Sequence, residues 1–298
     1  MNSGLRDVLF AVALIGVVLV YDIKSGKINI RKNFSQNCYR GNCSKTKIPY
    51  QENNQNGSKN QELGIEKRYR HHPSIENTYV DFDTTHPRGS ATLGTAFVID
   101  KKILLSARHV INGCRRSYVV DSKNNSIPIV KTEIQEGTDV ALLYVQKPLS
   151  LNFFSVNNVD VSSNQNGFHF GFPGEKLGQA YSHFLGQTRM MNSKGYKVDE
   201  NILVWSVEKQ SNEILSGISG GPVFNQDGVL VGVSIAGSLR RGRAYSSDSQ
   251  TNKHIIDNYQ IVQNENNVKR IQVDLENYEN LNKELQNDNM IVRVICVY

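Results

Sequence analysis

Three residues of this chain could together break an acyl bond. Ser219 lies in Ser216-Gly217-Ile218-Ser219-Gly220-Gly221-Pro222, among three glycines. His109 follows Ser106-Ala107-Arg108, and Asp139 sits in Gly137-Thr138-Asp139-Val140. A serine hydroxyl becomes a nucleophile only when a base takes its proton and a third group orients that base. Taken singly, each residue has a plainer reading: a turn serine, a structural histidine, a capping aspartate. Their order along the chain separates the two readings.

The serine run fits two turns. One is the Gly-x-Ser-x-Gly nucleophile elbow, whose acid and histidine come after the serine. Here those would be Asp248 and His254, in a polar stretch without strand signals. The other is a Gly-x-Ser-Gly-Gly-Pro loop, in which histidine and aspartate precede the serine. His109 and Asp139 do precede Ser219, and both sit at the ends of expected strands.

The elements that would hold these residues are short. Gly94–Ile99, Ile103–Ser106, Tyr118–Val120, Ile127–Val130, Val140–Val145, Phe168–Phe172, Ile202–Val207, Pro222–Phe224 and Val229–Ile235 are apolar or alternating runs. They are rich in β-branched and aromatic residues and are separated by Gly, Asn, Asp and Pro, the pattern of an all-β sandwich or barrel. No long amphipathic helices lie between them, which argues against a βαβ fold. Further on, Val268, Ile271, Leu275, Tyr278, Leu281 and Leu285 recur at helical spacing and predict a helix over Asn266–Gln286. The terminal run from Met290 to Tyr298 reads as a strand. This tail is expected to pack on the β domain, with a subunit contact, and hence an oligomer, as the alternative.

The N-terminal part differs. Val8 to Tyr21 is a continuous apolar run, short for a membrane span and of the length of a signal-peptide core. No small-x-small cleavage site comes after it, so residues 1–32 are read as an uncleaved hydrophobic membrane anchor, with a cleaved signal segment second and a buried helix third. Lys24, Lys27, Arg31 and Lys32 outnumber Arg6 and the free amine, which by the positive-inside rule puts the C-terminal part of the chain in the cytoplasm. Residues 33–78 are rich in Asn, Gln, Lys, Gly and Ser and cannot offset ordering entropy by burial, so they read as a flexible linker.

The net charge of +6 is spread along the chain. No basic run is interleaved with stacking aromatics, so no nucleic-acid partner is expected. Four cysteines are too few for a disulfide scaffold. Cys38 and Cys43, close together in the linker, could pair in an oxidising compartment or stay free thiols. Cys114 and Cys296 are expected to be small core residues. No Cys/His spacing matches zinc, and His71-His72 reads as solvated loop.

Three blocks carry a family resemblance. Gly94-Thr95-Ala96-Phe97-Val98-Ile99 with Ile103-Leu104-Leu105-Ser106-Ala107-Arg108-His109-Val110 is similar to the catalytic-histidine block of the trypsin/chymotrypsin-like serine proteases. Thr138-Asp139-Val140-Ala141-Leu142-Leu143 resembles their aspartate block. Gly217-Ile218-Ser219-Gly220-Gly221-Pro222-Val223-Phe224 with Gly228-Val229-Leu230-Val231-Gly232-Val233 resembles their nucleophile block. Phe170-Gly171-Phe172-Pro173-Gly174 resembles a further turn of the family. The compact bacterial Deg/HtrA-type branch is the nearest in pattern.

The resemblance implies two six-stranded β-barrels over residues 79–245, flanked by an N-terminal hydrophobic helix and a helical C-terminal extension over 246–298. It implies a serine endopeptidase acting on protein or peptide substrates, with no metal or organic cofactor. Ser219 would be the nucleophile, His109 the base and Asp139 its orienting group, with the N–H groups of Gly217 and Ser219 as the oxyanion hole. The pocket strand would be Ser234-Ile235-Ala236-Gly237. Glu213 approaches the pocket base, where it would favour a basic substrate if it points inward and be a surface charge if outward. Leu239-Arg240-Arg241-Gly242-Arg243 comes next, a solvated loop or an attractor of acidic groups. A noncatalytic binding module on the same fold is the competing reading.

The chain departs from the family in places. Ile218 stands where zymogen-type members carry an acid, so activation by a cut N-terminus is not expected. Val110 replaces a cysteine of disulfide-bonded relatives, so that bridge is absent. The tail is too short for a PDZ domain. Family members with an N-terminal hydrophobic segment usually work outside the cytoplasm, against the positive-inside rule.

Overall fold

The computed structural model describes residues 10–14, 17–24, 27–34, 78–80, 86–211 and 215–298. Phe10–Leu14 (β1), Val17–Lys24 (β2) and Lys27–Phe34 (β3) pair as an antiparallel three-stranded sheet. The expected N-terminal hydrophobic helix is therefore not what the structure holds there. β-branched Val and Ile are frequent in these segments and favour extended backbone. Among the described residues no helix is long and apolar enough to cross a membrane. The linker over 33–78, with Cys38, Cys43 and His71-His72, lies almost wholly outside the described residues.

Two closed barrels come next, as the resemblance implies. A short strand, Thr78–Tyr79 (β4), precedes them. The first barrel then begins with Ala91–Asp100 (β5), Ile103–Ala107 (β6), Arg116–Val120 (β7), Ser126–Ile134 (β8) and Val140–Val145 (β9). The second comprises Asn166–Gly171 (β10), Gly178–Met191 (β11), Lys197–Gln210 (β12), Pro222–Phe224 (β13), Leu230–Ser238 (β14) and Arg243–Ser247 (β15). Its order is β10-β13-β14-β15-β12-β11, closed by β10–β11, with β4 added outside β11.

The first barrel is closed from the far end of the chain. Ile291–Val297 (β16) pairs antiparallel with both β5 and β7, giving the order β16-β5-β6-β9-β8-β7. The segment 246–298, expected as an extension, thus supplies a barrel wall. Its helices are Ser249–Asn258 and Tyr278–Asn287, the first capped by Asp248, which accepts from Thr251 N. Asn266–Asn277 is not α-helical, which shortens the expected helix at its start. The apolar residues there pack along the chain instead of on a helix face: Ile271 and Val273 are buried, and Val268 bridges to Phe153.

Alternation along β5 shows how the core divides. Ala96 and Val98 face the interior of the first barrel with Leu104, Val119, Leu143 and Val294. Phe97 and Ile99 face the opposite way, as the two-residue strand period requires. They meet Phe154, Phe168, Phe224, Tyr278 and Leu285 in the seam between the barrels and the C-terminal segment. The tail's Tyr278 and Leu285 are fully buried in this seam.

A second correction concerns the cysteines. Cys114 and Cys296 are not separate core thiols but form a disulfide, with Cα atoms 5.3 Å apart and 182 residues between them. It ties β16 to the chain just after the histidine-bearing turn.

Candidate active site

The histidine is placed by a single turn of helix. Arg108–Ile111 (α1) joins β6 directly, and its Val110 and Ile111 are buried. Val110 seats against Gly94 of β5, where a Cβ would lie 2.5 Å from Val110 Cγ1. The same Cβ would lie 3.1 Å from the carbonyl oxygen of Ser219, and Thr95 N–H donates to that oxygen at 2.8 Å. β5 therefore holds the histidine helix and the serine turn against one another.

Asp139 precedes β9 and is fully buried. Its Oδ2 lies 2.6 Å from His109 Nδ1, its Oδ1 accepts the His109 N–H at 2.8 Å, and its carbonyl accepts the Arg108 N–H at 3.1 Å. These three links fix the imidazole and leave Nε2 directed away from the carboxylate. The His109 side chain keeps 26% exposure. Burial works against protonating it, but the charge and hydrogen bond of Asp139 outweigh burial, and its pKa is raised. A buried carboxylate on Nδ1 is the arrangement that stabilises an imidazolium formed during reaction.

The serine turn is locked from several sides. Gly217 has φ +99, and a Cβ there would lie 2.6 Å from Phe172 O. Only glycine takes that backbone without strain. Thr95 Oγ1 donates to Gly217 O at 2.8 Å and accepts from Phe172 N–H at 3.1 Å. Gly174 N–H donates to Ser216 O at 2.8 Å, and Ile218 N–H to Leu215 O at 3.0 Å. Among the described residues, the N–H groups of Gly217 and Ser219 donate to no protein acceptor. Two such donors in one turn, separated by Ile218, could receive an oxyanion.

Ser219 is half-buried, and its Oγ donates to the carbonyl of Ile235 at 2.9 Å. No hydrogen bond joins it to His109 among the described residues. The structure thus brings His109 and Asp139 into direct contact and holds the serine turn beside them, with the hydroxyl turned to β14.

The expected pocket strand has divided roles. Ser234 is buried, binds Gly220 N–H and Gly221 O through its backbone, and points its hydroxyl at His169 Nδ1 at 3.4 Å. Ile235 packs with Met190, Ile202, Val204 and Tyr245. Ala236 is half-buried, while Gly237 is exposed and packs against Leu215. Glu213 lies outside the described residues.

Sequence reasoning missed the roles of Thr95, although it lies in the histidine block, and of His169. His169 is buried, its Nε2 lies 2.8 Å from Ser182 Oγ, and burial pulls its pKa down to about 3. Ser182 Oγ donates to Gly167 O, so Nε2 carries the proton and the ring is neutral. Among the described residues no cluster of His, Cys, Asp and Glu could hold a metal ion.

The profile of the trypsin-like peptidase domain matches residues 94–233, the stretch that carries His109, Asp139 and Ser219. The match identifies a trypsin-like peptidase domain within the chain. Solved structures similar to this chain include the inactive form of the Rv3671c protease, at 17% identity and TM-score 0.43, covering 56% of this chain and 87% of that one. The active form of Rv3671c from M. tuberculosis matches at 16% identity and TM-score 0.45, covering 57% and 74%. The HtrA-type protease AlgW with a decapeptide matches at 18% identity and TM-score 0.45, covering 55% of this chain and 50% of that one. No curated protein matches the sequence significantly.

Proposed function

We propose that this trypsin-like domain is a serine endopeptidase that works through an acyl-enzyme. The observation that carries the reading is the buried Asp139–His109 pair at 2.6 Å, held against the Ser219 turn by β5. Ser219 Oγ leaves Ile235 O, passes its proton to His109 Nε2 and attacks the scissile carbonyl. The carbonyl oxygen takes the negative charge at the N–H groups of Gly217 and Ser219. The tetrahedral adduct collapses as His109 gives its proton to the leaving amine, and a water activated by His109 then releases the acyl group.

A fluorophosphonate probe on the full chain tests this. Labelling at Ser219 that disappears in Ser219→Ala supports it, and no labelling of folded protein sinks it. The second reading, a catalytically silent binding module, draws on the Ser219–Ile235 hydrogen bond, which points the hydroxyl away from its base. Peptide binding without labelling is its signature.

The Cys114–Cys296 disulfide supports work in an oxidising compartment, outside the cytoplasm. Attachment to a membrane rests on the hydropathy of residues 8–21 alone. A topology reporter fused after Tyr298 reads which side the domain faces.

A further inference from the structure

The second barrel holds a cation without an anion. Arg243 opens β15 and is 6% exposed. Its Nη1 donates to Ser206 Oγ at 3.2 Å, and among the described residues no carboxylate pairs with it. An arginine remains charged in proteins, and a buried charge with one neutral partner is costly unless another group answers it. Burial pulls its pKa below the usual arginine value, opposed by Tyr245 and Glu208.

Arg243 lines a cavity of about 120 Å³ together with Leu215, Ser238 and Gly242. Two of these walls also hold the nucleophile. Leu215 O accepts the Ile218 N–H, and Leu215 packs so closely on Gly237 that a Cβ there would lie 2.8 Å from its Cδ1. Ser238 ends β14 three residues beyond Ile235, whose carbonyl accepts Ser219 Oγ. At about 3.3 Å per residue that is ~10 Å along the strand. An arginine reaching in from β15 and a substrate side chain reaching in from the scissile carbonyl span this distance together.

We propose that this cavity receives the substrate side chain just before the scissile bond, and that Arg243 selects an acidic one, glutamate or aspartate. The proposal rests on the reading of Ser219 as nucleophile and names its substrate class. The guanidinium fork matches a carboxylate with two parallel hydrogen bonds. Glu208 also borders the cavity but is exposed, so water screens it. Lys209 on the same wall is engaged by Glu279 at 3.3 Å and by the Tyr278 ring, leaving Arg243 as the cation for a ligand.

The test uses the full chain and peptide coumarin amides that differ only in the last residue: Glu, Gln or Lys. Glutamate should exceed its uncharged isostere glutamine in kcat/KM by on the order of tenfold to a hundredfold, the range of a charged hydrogen bond. Arg243→Lys should keep the acidic preference in weaker form, and Arg243→Glu should reverse it toward lysine. Wild-type turnover of the glutamine substrate equal to or above the glutamate one overturns the proposal, whatever the variants do. So does a folded Arg243→Gln variant with an unchanged Glu/Gln ratio. Fluorophosphonate labelling of Ser219 without acidic preference sinks this proposal and leaves the peptidase reading standing. Absence of both labelling and turnover removes both.

Discussion

The hydroxyl of Ser219 donates to the carbonyl of Ile235 at 2.9 Å, so the serine turn and β14 are joined directly. The same strand anchors the turn twice more, through Gly220 N–H to Ser234 O at 2.7 Å and Ser234 N–H to Gly221 O at 2.8 Å. In the proposed reaction the hydroxyl must leave Ile235 O and turn to His109, exchanging one hydrogen bond for another.

Asp139 should control both rate and pH dependence. General-base action needs neutral His109, and Asp139 raises the pKa of that ring. Activity is therefore expected to rise with pH through a midpoint above the ordinary histidine value of about 6.5. Asp139→Asn removes the charge and favours the wrong tautomer, so kcat should fall by about 10⁴ and the acid limb should move down. A pH profile of kcat/KM on both proteins checks this, and a wild-type midpoint well below the ordinary value contradicts it.

Gly94→Ala should reduce activity without touching any reacting group. The new Cβ meets Val110 at 2.5 Å on one side and Ser219 O at 3.1 Å on the other. Relief requires α1 or the serine turn to move. A displacement near 1 Å at a reacting group costs about 10²-fold, and overpacking typically costs 1–3 kcal/mol. Paired rate and thermal-melt measurements should show both losses, with the rate falling further than stability explains.

Much of this site is legible in sequence because its parts are local. The glycine-flanked Ser219 and the strand-end His109 and Asp139 each lie in a contiguous block. Strands with clean apolar runs are equally readable, as Val140–Val145 and Pro222–Phe224 show. β11 is not, because four register shifts break its alternation. β15 reads as Arg-Ala-Tyr-Ser-Ser, too polar for a buried strand, yet Ser246 Oγ accepts from Trp205 Nε1 and Ser247 Oγ donates to Asn252 Oδ1. These partners lie elsewhere in the chain and leave no local signal. The same holds for the pairing of Cys114 with Cys296 and for β16, whose strand character is visible but whose place in the first barrel is not.

Breaking the disulfide should loosen that barrel. Cys114–Cys296 closes a 182-residue loop and secures the last strand beside α1. Removing a native bridge of this kind typically costs 2–5 kcal/mol. Cys114→Ser with Cys296→Ser should lower the denaturation midpoint and raise protease sensitivity at the C-terminus. An unchanged midpoint in non-reducing buffer means the bridge carries no stability.

Asp199 gives the domain a second, separate pH dependence. It is 4% exposed, its Oδ1 accepts Asn201 N–H at 2.9 Å, and among the described residues its Oδ2 has no hydrogen-bond partner. Burial, reinforced by the charges of Asp248 and Asp139 and opposed by backbone hydrogen bonds, pushes its pKa up to about 6. A carboxyl group with a raised folded-state pKa binds protons more tightly when folded, so its stabilising contribution is present at low pH and is lost as pH rises. The loss begins near the ordinary value of about 3.9 and is complete above about 6. At roughly 1.4 kcal/mol per pKa unit the total is on the order of 2–3 kcal/mol. Asp199→Asn should flatten the stability profile across this window and raise stability at neutral pH relative to wild type. Urea midpoints at pH 4, 5, 6 and 7 decide it. Parallel curves for the two proteins exclude Asp199 as the source, and a variant that loses stability at pH 7 shows that the ionised carboxylate has a partner worth more than its burial costs.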